Sequence, residues 1–123
     1  MEPEPLRARF GRNLRLRRSA DFRRVQRKGH RRRSRHLVFL WLPAERELPR
    51  FGLAVSRKVG NAVTRNRVKR WLREAIRKNR GGLTYMDAVL IARPGAGDAG
   101  YAAIESEVRS LFGRIATSPG GSS

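Results

Sequence analysis

Apolar positions along this chain fall into two periods, and each period marks a different element. Leu37-Val-Phe-Leu-Trp-Leu42 is a short unbroken apolar run rich in aromatic and branched residues, which predicts a strand. Because successive side chains alternate, Leu37, Phe39 and Trp41 share one side and Val38, Leu40 and Leu42 the other. Both sides are apolar. Pro43 and Pro49 bracket a polar connection before extended structure resumes at Arg50-Phe-Gly-Leu-Ala-Val-Ser56, so the two segments read as a hairpin. Ala88-Val-Leu-Ile-Ala92, within a strand expected over 86–93, is again continuously apolar, the pattern of a strand covered on both faces.

The longer period appears twice. Val68, Trp71, Leu72, Ala75 and Ile76 stand at i, i+3, i+4, i+7 and i+8, the stripe of a helix facing a core, while Asn66, Lys69, Arg70, Arg73 and Arg77 fill the adjoining arc. Val59-Gly60-Asn61 supplies the turn before it and Asn79 to Gly82 the stop. Ile104, Val108, Leu111, Phe112 and Ile115 repeat the pattern in a last helix over about 101–115. A shorter helix is predicted near the start, with Ser19 as N-cap, Asp21 in the first turn and Gly29 as the stop. Phe22 and Val25 give it one apolar edge with Gln26 beside them, and its back is basic. The spacing leaves Phe22 equally suited to core packing and to ligand contact. His30-Arg-Arg-Arg-Ser-Arg-His36 shows no periodicity and reads as a charge run.

These elements predict an α+β fold, a two-layer sandwich of helices on one small sheet, in the order helix, strand, strand, helix, strand, helix, with room for one further strand before the second helix. A parallel pairing across the basic helix would be a β-α-β crossover, normally right-handed. Residues 1–18 read as a basic flexible arm, 19–116 as a single domain, and 117–123 as a disordered tail.

Charge narrows the partner. The chain has 29 Lys and Arg against 10 Asp and Glu, a net of +19, which implies a polyanion. The excess is uneven: residues 1–36 and 37–80 carry nearly all of it, and 81–123 are close to neutral. No window approaches the length of a membrane span, and Met1 is followed by Glu-Pro-Glu-Pro rather than a leader pattern, so a cytoplasmic nucleic-acid binder without a membrane role is expected. The absence of cysteine removes disulfides and thiolate metal sites.

Candidate chemistry within the protein is sparse. His30 and His36 lie in the arginine run with no patterned carboxylate nearby and read as solvated or phosphate-facing. Glu45 and Glu47 sit in the proline-bracketed connection, Glu105 and Glu107 project to different sides of a helix, and Glu74 reads as an intrahelical partner of arginine. None of these makes the clustered carboxylate set of a two-metal nuclease. Ser56 and Thr64 have no base beside them. A general RNA-binding protein, a protein-only nuclease and a DNA-binding module remain alternatives on composition alone; Trp71, on the apolar stripe, reads as core.

Residues 52–74, Gly-Leu-Ala-Val-Ser-Arg-Lys-Val-Gly-Asn-Ala-Val-Thr-Arg-Asn-Arg-Val-Lys-Arg-Trp-Leu-Arg-Glu, closely resemble the signature of the protein component of bacterial ribonuclease P, including its Arg-Asn-Arg element at Arg65, Asn66 and Arg67. The resemblance extends to Leu-Arg-Arg-Ser-Ala-Asp-Phe at 16–22, to Val-Leu-Ile-Ala-Arg at 89–93 and to the final Leu-Phe helix, about residues 7–115 in all. It implies a non-catalytic subunit that pairs with a catalytic RNA and with precursor tRNA. It also implies that the RNA removes the 5′ leader with Mg2+ held mainly by itself, while the protein binds the leader, stabilises the active RNA fold and broadens substrate range. No metal on the protein and no protein partner are implied. By the same resemblance Arg57, Lys58, Asn61, Arg65, Asn66, Arg67, Lys69, Arg70 and Arg73 meet RNA, and Phe22, Val38 and Leu40 line a cleft for the leader. A left-handed crossover, against the general rule, is implied too. The chain departs from many relatives in that cleft, with Gln26 and Leu40 where they carry aromatics.

Overall fold

The structure is a computed structural model and describes residues 15, 16 and 18–117. Most of the 1–18 arm and residues 118–123 of the tail lie outside the described residues. Helix α1 (Ser19–Lys28) is followed by strands β1 (His30–Arg33), β2 (Leu37–Pro43) and β3 (Arg50–Ala54), helix α2 (Ala62–Asn79), strand β4 (Met86–Ala92) and helix α3 (Tyr101–Thr117). The four strands form one sheet in the order β1-β2-β4-β3, antiparallel except for the parallel β3–β4 pair. The expected small α+β sandwich of helices on a sheet is therefore present.

Packing explains why β2 and β4 are apolar on both sides. Leu37 and Phe39 of β2, Phe51 of β3, and Ala88, Leu90 and Ala92 of β4 join Val68, Leu72, Ala75 and Ile76 of α2 and Ile104, Val108, Leu111 and Phe112 of α3 in one buried cluster. On the other face Leu40 and Val89 are buried with Val25 of α1 and with Leu16. The sheet is thus covered on both faces, which goes beyond the two-layer reading, with α1 opposite α2 and α3. Each fully buried Leu, Ile, Val or Phe in these clusters stabilises the fold by roughly 1.5–3 kcal/mol. Leu16, placed in the arm from sequence, is 2% exposed, and its N–H donates to Phe51 O at 2.9 Å.

Three local expectations change. The segments 37–42 and 50–56 are not a hairpin, because β4 lies between β2 and β3 in the sheet. A central strand apolar on both faces gains more by pairing on both edges than an edge position would give it. His30–Arg33 is not an aperiodic run but an edge strand paired with β2, His30 opposite Trp41 and Arg33 opposite Val38. Its alternation is hidden from composition because three of its four residues are arginine. The N-cap of α1 is Arg18, with no side-chain cap, and Ser19 is already helical.

The start of α2 is built tightly. Ser56 Oγ accepts from Lys58 N in the short turn Arg57–Val59, Gly60 follows at φ 156°, and Asn61 caps the helix by accepting from Thr64 N at 2.9 Å. Only glycine readily occupies that φ, and a Cβ there would also lie 2.9 Å from Thr64 Cβ.

Candidate nucleic-acid interface

The apolar stripe of α2 orients its cations. With Val68, Leu72, Ala75 and Ile76 buried, the arc bearing Asn66, Lys69, Arg70 and Arg73 faces outward, Asn66, Arg70 and Arg73 exposed and Lys69 partly so. Trp71 packs against the core cluster, and the Arg67 guanidinium stands 5.8 Å from its ring centroid. Arg65 donates from Nη1 to Gly60 O at 3.1 Å, fastening the helix start to the turn that carries the exposed Arg57 and Lys58. Among the described residues none of Arg57, Lys58, Lys69, Arg70 and Arg73 is paired with a carboxylate, whereas Arg77 is held by Glu74. Partial desolvation, and then the like charge of Arg15, lower the Arg73 guanidinium from its ordinary value, and it remains a cation. Asn61, an expected RNA contact, has its side-chain oxygen engaged in capping.

The second surface lies on the α1 face of the sheet. Strand register sets three rows across it. The first is Leu42, Asp87 and Arg50, the second Arg31, Leu40, Val89 and Gly52, and the third Arg33, Val38, Ile91 and Ala54. Helix α1 covers the middle row: Val25 is fully buried and Leu40 is 1% exposed. The Phe22 ring sits on Gly52, so close that a Cβ there would meet its Cζ at 2.4 Å. The third row stays open, with Val38, Ile91 and Ala54 only partly covered. Of the three cleft residues expected from sequence, Phe22 and Val38 are accessible, and Leu40 supports the floor from beneath α1. Phe22 packs against the α1-side cluster, in line with its core reading, and keeps part of its surface in water. Ile91 and Ala54 share this row with Val38 and were not singled out from sequence; once β4 is placed beside β2 and β3, register alone finds them. Since β3 ends at Ala54 and the Arg57–Val59 turn leads from it into α2, the open row and the cationic helix start share one end of the sheet.

The opposite end is closed by ion pairs. Asp87, 1% exposed, accepts from Arg50 Nε and Nη2 at 3.1 Å each, from Arg24 at 3.1 Å and from Arg46 at 2.5 Å, and Asp21 adds bonds to Arg24 and Arg50. Burial pushes the Asp87 carboxyl up, but the hydrogen bonds and charges of Arg50 and Arg46 outweigh it and hold the group below the ordinary carboxylate range.

His36 requires a correction, since it does have a carboxylate partner. Its Nδ1 lies 2.6 Å from Glu107 Oε2, its backbone N–H donates to Oε1 at 2.9 Å, and Ser34 Oγ donates to the same oxygen. Burial raises the Glu107 carboxyl, while the bonds from Ser34 and His36 more than offset that and leave it lowered. The hydroxyl points at the carboxylate rather than at the imidazole, so this arrangement ties the β1–β2 turn to α3 and does not activate a nucleophile. Glu105 turns to Asn79 and Arg109 instead, the different sides expected. No group of three or more His, Cys, Asp or Glu that could hold a metal occurs among the described residues, and none of their helices is long and apolar enough to cross a membrane.

Comparison with known proteins places this architecture. The family described as Ribonuclease P matches residues 10–116. The ribonuclease P protein component of Bacillus velezensis is 40% identical over 100 residues, covering 80% of this chain and 85% of that protein. That of Alkaliphilus metalliredigens is 38% identical over 104 residues, covering 84% and 94%. Among solved structures, the RNase P protein of Staphylococcus aureus superposes with a TM-score of 0.77 at 32% identity, over 83% of this chain and 94% of that one. The RNase P protein of Thermotoga maritima gives 0.75 at 30%, over 82% and 96%. Agreement in sequence, in fold and across nearly the whole described chain leaves one assignment: this chain belongs to the ribonuclease P protein family.

Proposed function

We propose that the chain serves ribonuclease P through two surfaces at one end of its sheet, α2 meeting the catalytic RNA and the open row beside Phe22 taking the single-stranded 5′ leader of precursor tRNA. As a ribonuclease P protein subunit it assists the RNA in tRNA 5′ maturation and is itself non-catalytic. The observation that carries the division is the run of cations at Arg57, Lys58, Lys69, Arg70 and Arg73, left without carboxylate partners among the described residues, one short connection away from an apolar row flanked by an aromatic ring. Cations of that kind suit phosphates, and an apolar floor with a ring suits unpaired bases. Arg65 and Arg67 join this surface through their free N–H groups, and Asn66 through its exposed amide. Asn61 contributes by fixing the helix start.

The accompanying parts of the reading follow the family resemblance. Mg2+ is held mainly by the RNA, no further protein is required, the complex works in the cytoplasm, and the β3-α2-β4 crossover is left-handed.

The test reconstitutes the chain with a ribonuclease P RNA at low magnesium and follows 5′ maturation. Arg65→Ala or Arg70→Ala is expected to lower the slope of log affinity against log salt by about one per lost phosphate contact. An unchanged slope removes those residues from the interface. Phe22→Ala is expected to weaken leader-bearing precursor while sparing mature tRNA, and equal losses for both would sink the cleft assignment. Cleavage by the protein and magnesium without RNA would overturn the non-catalytic role.

A further inference from the structure

We propose that Arg31 and Arg33 form a cationic rail on the β1 edge of the cleft that grips the backbone phosphates of the single strand, while Val38, Ile91 and Ala54 carry its bases and sugars. The inference rests on the cleft reading above and adds to it a contact, a charge and a side of approach.

Register selects these two arginines from the run. Arg31 stands opposite Leu40 and Arg33 opposite Val38, so both project on the α1 face, while His30 and Arg32 pair with Trp41 and Phe39 on the reverse face. There the Arg32 guanidinium lies 5.7 Å from the Trp41 ring centroid and the His30 ring 5.1 Å from it. Arg31 and Arg33 are exposed, and their side chains have no hydrogen bond or ion pair among the described residues. Three further arginines on the same face, Arg24, Arg46 and Arg50, are drawn to Asp87 and Asp21 at the far end. An anion approaching this face therefore meets unneutralised charge at the β1 edge.

Spacing agrees. Two residues on one side of a strand are about 6.7 Å apart, the scale of one nucleotide step in an extended strand. Stacking, by contrast, is limited here: among the described residues Phe22 is the one ring on the floor's α1 side, Gln26 offers an exposed amide, and Leu40 is buried. A cleft short of rings but edged by arginines holds a strand by its backbone, which predicts affinity that depends on salt more than on leader sequence.

The experiment uses the reconstituted ribonucleoprotein and compares precursor tRNA bearing a single-stranded leader with mature tRNA across a fourfold range of salt. Arg31→Gln with Arg33→Gln is expected to lower the slope of leader-dependent affinity by about 0.7 per phosphate. Wild-type advantage for the precursor should then fall about sevenfold more than the variant's between 50 and 200 mM salt if two contacts are lost. The paired lysine substitutions should keep the wild-type slope, and Arg32→Gln, on the reverse face, should leave it unchanged. A glutamine variant that melts like wild type and keeps the full slope overturns the rail while leaving the cleft standing. An equal loss in Arg32→Gln overturns it as well, because the effect would then be bulk charge. Absence of any leader preference in wild type defeats the cleft reading itself, and the rail with it.

Discussion

Replacing Gly52 by alanine should disturb the cleft through one contact. The new Cβ would lie 2.4 Å from Phe22 Cζ and 2.9 Å from both Cε atoms. Ordinary contact begins near 3.4 Å, so the ring must retreat by about 1 Å. It is the far end of a side chain with two torsions, and it keeps part of its surface in water, so the ring yields before the sheet does. Overpacking costs about 1–3 kcal/mol, and removing a strand glycine returns about 0.5–1 kcal/mol. A net loss of about 1 kcal/mol follows, or a melting temperature lower by about 4–8 °C for a domain of this size. The displaced ring should also lose part of the base contact proposed for it, worth at most about 1–3 kcal/mol, seen as weaker binding of leader-bearing precursor with mature tRNA unaffected. The decisive assay is a double-mutant cycle with thermal melting as the readout. In a Phe22→Ala background the overlap is gone, so Gly52→Ala should become neutral or stabilising. If it costs the same with and without the ring, Phe22 does not rest on Gly52 and the geometry of the cleft wall is wrong.

Asp87→Asn leaves the shape but removes the charge facing Arg24, Arg46 and Arg50. Since those side chains are 41%, 44% and 25% exposed and water can take them up, the cost should be near 2 kcal/mol rather than the larger loss of a dry pair, measurable by urea unfolding. Glu107 and Asp87 both have lowered folded values, so their contribution to stability is fully present above their ordinary values of 4.5 and 3.8 and is lost as pH falls through the folded ones. Melting temperature should drop in that acid range, and Glu107→Gln should flatten the drop while costing about 1–3 kcal/mol at neutral pH; an unchanged acid profile in that variant refutes the pairing with Ser34 and His36. Asn61→Ala should cost about 1 kcal/mol for the lost cap, whereas Asn61→Asp should keep the cap and weaken RNA binding by placing an anion in the cationic surface. Equal RNA affinity for wild type and Asn61→Asp would move the helix start out of the interface.

Local pattern was enough for much of this protein. The stripe from Val68 to Ile76 predicts both the buried side of α2 and, by exclusion, the side that presents Lys69, Arg70 and Arg73, because one helical turn ties the two together. The doubly apolar runs at 37–42 and 88–92 predict strands with cover on both faces, and the 52–74 segment carries the family. Pairing between distant segments is another matter. Nothing near residue 30 says that an arginine run will become a strand; β2 decides it by offering an edge, and only then do Arg31 and Arg33 part from Arg32. The same holds for β4 entering between β2 and β3, for Ile91 and Ala54 joining Val38, for Asp87 meeting an arginine 63 residues away, and for Glu107 meeting a histidine 71 residues away. Periodicity is written in neighbours along the chain, so the sequence alone determines which side of each element is apolar. Which strand lies beside which, and which charge finds a partner, depends on contacts across long loops, and those exist only once the sheet has closed.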